Sequence, residues 1–407
     1  MLSESNIRYE GWRVTAASGV SVFFVSLLVF TLPIFLKPLA EEFSWSRQTI
    51  STAFAVAATM SAVWAPPLGY LADRLGPGRI MVPCMALFGL AFTALSALTP
   101  RLWHLYILFA VMGTFGTGAS PVVYARAVTS WFDERRGVAL AAALSGRSLG
   151  GIVHPTAAAA LIPIVGWRGT CVTFGGLVLA IGLPIVSRFI RERPSVEARI
   201  ADGRQPAAGT SITNGMRSRV FWMLVIVLVG TAAAHNGAVV HMAVLLTDRG
   251  VSASRAAAAV SATGAASVIG RLAAGWLLDR FFAARVSFAL IAASACGTFL
   301  LARADSFASG TAAAVLLGIG IGGESDVAPY LLSRYFGLRS FSTLYGLTWI
   351  ATAGAAAAGP ILMGRAFDAT GSYEALLIRF AILTLGVALL MLTLPRYQQA
   401  QTEPAAV

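Results

Sequence analysis

The sequence predicts an all-α membrane protein of twelve transmembrane helices in two pseudo-symmetric six-helix bundles. Three observations carry this. Of 407 residues, 57% are hydrophobic and only 12% charged, where soluble domains run at roughly 25% charged. The charges are crowded into short stretches between apolar runs of about 20 residues, the length a helix needs to cross a hydrocarbon core of roughly 30 Å. And the same landmarks return half a chain later.

The apolar runs, in order, are Val14 to Pro38, Gln48 to Leu71, Arg79 to Thr99, Trp103 to Ala127, Val138 to Pro163 and Arg168 to Ile190 in the first half. The second half has Arg219 to Leu246, Ala256 to Leu278, Val286 to Ala302, Phe307 to Ser333, Phe341 to Gly364 and Ala375 to Leu394. None alternates with the dyad period of a barrel strand, and backbone groups cannot go unpaired in lipid, so all are read as helices. The first run is too long for a signal-peptide core and no cleavage site follows it, so the N-terminus is expected to be retained. The seventh run is interrupted at Gly230 and at His235-Asn236-Gly237, as in a weakened helix that lines a site. Residues 1–190 and 219–407 form the two expected bundles, and the Arg-, Pro-, Gly- and Ser-rich segment 191–218 the linker between them.

The repeat has a shift of about 205 residues. Gly69-Tyr-Leu-Ala-Asp73-Arg74 returns as Gly275-Trp-Leu-Leu-Asp279-Arg280, Trp131-Phe132 as Tyr335-Phe336, Pro155 as Pro360, and Gly166 as Gly371. The net charge is +12, but its placement argues against a nucleic-acid partner. Arginines are spread over every inner loop, 18 against seven in the outer loops. This bias predicts a multi-pass protein of the inner (plasma) membrane, both termini cytoplasmic, whose large partner is the lipid bilayer. Cys84, Cys171 and Cys296 fall singly in three spans, with no metal-ligand spacing. There is no nucleotide-binding glycine loop and no nucleophile elbow, so neither an enzyme nor a cofactor is expected.

The segment Gly69-Tyr-Leu-Ala-Asp-Arg-Leu-Gly-Pro-Gly-Arg79 resembles the signature of the major facilitator superfamily between its second and third helices. The resemblance implies parallel halves with a substrate site between them near the midplane. It also gives the motif a task. Asp73 at an inner helix end can meet Arg135 and Arg136, or the positive N-terminus of a neighbouring helix, and lock the inner face; Asp279 with Arg339 would do the same in the second half.

Two further stretches resemble the monocarboxylate transporter family: Glu10-Gly-Trp12 through Phe35-Leu-Lys37, and Trp131-Phe-Asp-Glu-Arg135-Arg136-Gly followed by Ser145-Gly-Arg-Ser-Leu-Gly150. That resemblance places a substrate- and proton-linked lysine at Lys37, the single lysine beside 29 arginines. A lysine can lose its proton in a dry setting and an arginine cannot. The bland alternative is a lysine snorkelling from a helix end. Arg271 lies eight residues before Asp279, about 12 Å along a helix, and a lone arginine at that depth is read as functional. Its planar fork suits a carboxylate, and the family holds its substrate with an arginine in this Gly270-Arg271 setting. Ser267 departs from the family, whose animal members carry an aspartate there. The oxalate–formate exchanger branch is a more distant likeness, and its helix-11 lysine is missing here.

His235 and Asn236 are candidates for substrate contact, His235 also for proton coupling, with Tyr124 and Tyr345 weaker ones. Arg126 is expected to pair with Glu324 or Asp326 as an inner gate. The expected function is a monomeric secondary transporter of a small carboxylate by alternating access, coupled to protons. The alternative is a proton-antiport exporter of amphipathic or cationic compounds in which Glu324 and Asp326 carry the proton.

Overall fold

A computed structural model describes residues 3–193 and 209–397; for residues 32, 33, 37, 47, 48, 253, 325 and 326 it describes the backbone alone. The chain is helical throughout. The first predicted run forms three pieces, α1 (Glu10–Val25), α2 (Leu27–Phe30) and α3 (Leu32–Phe43). The breaks fall at Ser26 and Thr31, whose hydroxyls bond back to the Phe23 and Leu27 carbonyls, a competition with the backbone that bends helices. Then come α4 (Arg47–Leu75), α5 (Pro77–Ala94), α6 (Leu102–Gly118), α7 (Pro121–Trp131), α8 (Arg136–Leu177) and α9 (Leu183–Phe189). The second half holds a short α10 (Ile212–Arg217), α11 (Arg219–Asp248), α12 (Ala253–Arg280), α13 (Ala283–Arg303), α14 (Phe307–Phe336), α15 (Phe341–Thr370) and α16 (Glu374–Met391).

Eleven helical stretches among the described residues are long and apolar enough to cross a membrane, and one of these, Arg136–Phe189, has 54 residues. Straight, it would reach about 80 Å, far more than one bilayer. Gly166 divides it, with φ 70° and ψ 170°, a conformation open to glycine and strained for other residues. Two spans result, so the predicted twelve are present.

Contacts divide the chain into two compact units, Met1–Ala208 with Leu338–Ala353, and Gly209–Gly337 with Gly354–Val407. The first turns of α15 therefore pack with the first unit. Inside each unit the sequence repeat reappears as geometry. Gly371 takes φ 69°, matching Gly166 at φ 70°. Trp131 donates from its indole to the Arg191 carbonyl, and Tyr335 from its phenol to the Pro395 carbonyl. In the first unit a Cβ on Gly113 of α6 would lie 2.2 Å from the Ala57 carbonyl of α4; in the second, one on Gly318 of α14 would lie 2.3 Å from the Thr263 carbonyl of α12. Only glycine permits backbones this close, the approach that holds helices together where lipid removes the hydrophobic drive.

The first unit's interior is built on Phe88, Phe92, Phe109 and Phe174, the second's on Met242, Leu245, Met363 and Phe380. The opposite faces expose Trp64, Trp103, Ile164, Ile226, Ile269 and Ile382, the all-round apolarity of helices surrounded by hydrocarbon.

Candidate functional site

Two buried polar clusters stand out, one in each unit. The first centres on Arg126 of α7, a guanidinium only 1% exposed. Its Nη1 donates to the Asp73 carboxylate at 2.7 Å and to the Leu338 carbonyl, and its Nε donates to Glu192. Asp73 is 5% exposed on its side chain and Glu192 1%. A guanidinium buried this deeply requires such partners, since removing one from a buried pair costs roughly 3–5 kcal/mol.

Asp73 has a second task. It accepts from the backbone N–H of Ser342 at 2.9 Å, and from the N–H and hydroxyl of Thr343 at 2.8 and 2.7 Å. These amides open α15 and have no partner inside their own helix. Asp73 is thus the N-terminal cap of α15, its charge placed at the positive end of the helix dipole. Gly69, one turn earlier, makes the approach possible, because a Cβ there would fall 2.2 Å from the Ser342 carbonyl oxygen.

Of the two partners expected for Asp73, the helix N-terminus is the one observed. Arg135 is exposed, and Arg136 donates to the Phe132 carbonyl at 3.0 Å and approaches Asp133 at 3.4 Å. Both lie beyond the end of α7, while Arg126 sits inside it. Asp279 is half-buried near the end of α12 and Arg339 is exposed.

The second cluster joins α11, α13 and α14. The Glu324 carboxylate meets His235 Nδ1 at 3.0 Å and accepts from the Thr231 hydroxyl. His235 Nε2 lies 2.8 Å from Ser294 Oγ. The side chains of His235 and Glu324 are 5% and 12% exposed. Of the partners expected for Arg126, Glu324 or Asp326, Glu324 belongs to a separate cluster, and each of these two charges has its partners within its own unit. Asp326 and Lys37 are placed as helical backbone; their side chains lie outside the described residues.

Arg271 is buried on α12 at 7% exposure. Close packing fixes its level: Gly270 abuts Ile319 of α14, and Gly322 abuts Ser267. Arg271 therefore stands within about a helical turn of Glu324 in height. Asn236 is exposed and donates to the Ala232 carbonyl of its own helix. His241 turns away from His235, as the 100° step per residue requires, to reach Tyr373 and the Pro360 carbonyl. Tyr124 is 1% exposed and Tyr345 6%, the latter edge-on to Trp349.

Beyond the C-terminal end of the first apolar run, Glu42 accepts from Arg168 at 2.6 Å and from the Trp167 indole at 2.6 Å. The Arg168 hydrogen bond holds the Glu42 carboxyl below its ordinary range against a smaller opposing effect of burial. Arg168 also donates to the Leu98 carbonyl at 3.0 Å and stacks on Trp167. Sequence reasoning missed Glu192, Thr231 and Ser294. Glu192 was visible as an acid between Arg191 and Arg193, but it stood in a segment read as a linker.

Comparison with known proteins agrees with this architecture. Human monocarboxylate transporter 11 is 26% identical over 407 aligned residues, covering 95% of this chain and 83% of that one. The 4-hydroxybenzoate transporter PcaK of Pseudomonas putida is 25% identical over 429, covering 93% and 92%. The crystal structure of the E. coli fucose:proton symporter FucP matches with a TM-score of 0.69 at 16% identity, covering 92% of this chain and 97% of that one; at that identity the likeness shows the fold. The Major Facilitator Superfamily family model matches residues 18–360. The chain belongs to the Major Facilitator Superfamily and is a membrane transporter, not an enzyme.

Proposed function

We propose that this transporter carries a small organic anion, a monocarboxylate, by alternating access and with proton coupling. It works as a monomer in the inner (plasma) membrane with both termini cytoplasmic. The observation that carries the reading is Arg271, a permanently charged fork buried at 7% exposure inside a transmembrane helix. A guanidinium at that depth is costly unless it serves a ligand or a pair, and two parallel N–H groups match the two oxygens of a carboxylate. Similarity to a monocarboxylate transporter and to a 4-hydroxybenzoate transporter supports the same class of cargo.

In this reading residues 1–190 and 219–407 are the moving bundles, 191–218 joins them, and Asp73 with Arg126 holds the inner gate. The cationic-exporter alternative, in which Glu324 and Asp326 carry the proton, is disfavoured by the fixed positive charge of Arg271, which repels a cationic cargo.

The test is a thermal-shift screen of organic acids on purified protein, repeated with Arg271→Ala. Carboxylates are expected to stabilise the wild type and not the variant. Equal stabilisation of both would remove Arg271 from the site.

A further inference from the structure

We infer that His235 and Glu324 together form a proton-binding site, a single unit that exchanges one proton with water during transport. The proposal rests on the proton-coupled part of the reading above, and it puts the proton on this pair instead of on Lys37.

The argument is a count of hydrogens. The Ser294 hydroxyl hydrogen is used on the Ile291 carbonyl, 2.8 Å away in its own turn. At 2.8 Å from His235 Nε2, the Ser294 oxygen then accepts in the tautomer that carries a hydrogen on Nε2. The Thr231 hydroxyl has two acceptors within reach, Glu324 Oε1 and the Val227 carbonyl of its own turn at 2.8 Å. One contact is left, Nδ1 to Oε2 at 3.0 Å, and it requires one hydrogen. Placed on nitrogen it makes an imidazolium–carboxylate pair; placed on oxygen it makes a neutral imidazole bonded to a carboxylic acid. Both forms have zero net charge and the same heavy-atom geometry.

Removing that hydrogen changes the charge by one and turns an imidazole lone pair toward a carboxylate inside a buried site. The contact then becomes repulsive, and of the two side-chain bonds from α11 to Glu324 the one through Thr231 is left. In the protonation step a hydronium ion gives one proton to the lone pair of Nδ1 or Oε2 and leaves as water. On release the N–H or O–H bond breaks, its electron pair stays on the protein, and the proton returns to water. Transfer thus couples a single charge to the packing of two helices, which is what a transported proton must do to bias two conformations.

Among the side chains described, this pair is the group that changes charge; that of Asp326, on α14, lies outside them. From α12, Arg271 brings a fixed cation to the same level, with Ala274 packed at Gly323. From α13 come Leu290 and Ser294, neither ionisable, and Cys296 is exposed. From α16 the neighbours are Leu383 and Val387, packed at Gly230 of α11, while Arg379 is exposed. On α14 itself Tyr330 is committed to the Leu278 carbonyl at 2.8 Å, and on α11 His241 is committed to Tyr373 and Pro360.

The chain has four histidines, so 15N-imidazole NMR of the purified protein can follow each, with His235→Asn assigning the signal. The wild-type Nδ1 signal should change with pH as the shared hydrogen exchanges with water. In Glu324→Gln the amide can donate to Nδ1, and that pH response should vanish. A pH-independent Nδ1 in the wild type overturns the proposal without any variant. In proteoliposomes, lactate entry should bring protons with it and support about tenfold accumulation per pH unit for one proton, and Glu324→Gln should abolish the proton entry. If the NMR response is present but proton entry survives in Glu324→Gln, the pair is not the transported-proton site. If the response is present but the wild type carries neither lactate nor 4-hydroxybenzoate, the site stands and the monocarboxylate reading falls.

Discussion

Asp73→Asn tests the most detailed piece of geometry in the first unit. The carboxylate takes four donors, two on each oxygen: Arg126 and the Ser342 N–H on Oδ1, and the Thr343 N–H and hydroxyl on Oδ2. Asparagine keeps one oxygen. In its better orientation the oxygen retains Arg126 and Ser342, the Thr343 hydroxyl rotates to accept, and the Thr343 N–H is left facing an NH2 group. An orphaned buried donor costs about 1–3 kcal/mol. Loss of the charge beside a buried guanidinium costs roughly 3–5 kcal/mol when the pair is isolated, less here because Glu192 remains. A total of about 3 kcal/mol is expected, or roughly two orders of magnitude in an equilibrium constant. Hydrogen exchange reads it directly, because the first amides of a helix have no intrahelical acceptor. Ser342 and Thr343 should be protected in the wild type and exchange about a hundredfold faster in Asp73→Asn, with a matching loss of thermal stability in detergent. Amides already unprotected in the wild type, or a change below about 1 kcal/mol, would refute the cap.

Gly318→Ala should destabilise by roughly 1–3 kcal/mol, since its Cβ would stand 2.3 Å from the Thr263 carbonyl, while Gly264→Ala, with nothing within 4 Å, should not; unfolding in detergent compares them. Glu42 is held below its ordinary range by Arg168, so its stabilising contribution is present above the unfolded carboxyl value of about 4.3 and is lost as pH falls through the lower folded value. Melting temperature in that acid window should fall less in Glu42→Gln than in the wild type, and an identical acid response would show that the contact does not matter.

Much of the fold was legible because lipid leaves few choices. Apolar runs of helical span length, arginine bias and a half-chain repeat each follow from one constraint, and all pointed to the same twelve spans. Breaks inside spans were harder to read. Gly166 was marked by its repeat partner Gly371, yet nothing in a hydropathy pattern announces that Ser26 and Thr31 divide the first helix. The polar sites were legible as residues and not as pairs. Arg126, His235 and Glu324 each stood out as costly groups in an apolar setting, while the partner depends on which helix faces lie together. Depth along the membrane suggested Arg126 with Glu324; rotation about the helix axes joined Arg126 to Asp73 and Glu324 to His235. Glu192 was hidden for the opposite reason, because acids in a linker are ordinarily solvated and its burial comes entirely from tertiary structure.

The repeat also shows where the halves have parted. A shift of 204 residues carries Arg126 to Tyr330, and one of 206 carries Asp73 to Asp279, the residue after Leu278. The structure keeps the contact while changing its chemistry: Arg126 reaches the Asp73 carboxylate at 2.7 Å, and the Tyr330 phenol reaches the Leu278 carbonyl at 2.8 Å. A neutral phenol on a carbonyl needs no counter-charge and is worth about 1 kcal/mol, whereas the buried guanidinium must bring its acids with it. The second unit's buried acid lies elsewhere, on Glu324, whose equivalent at the same shift of 204 is Ser120 at the break between α6 and α7. The buried ion pair at this position was therefore kept in one half, and the other half places its buried His–Glu pair at a different point of the repeat. In the proposed reading this division puts a helix cap in one bundle and the proton in the other, and variants of the two clusters should then fail differently, the first in helix capping and the second in coupling.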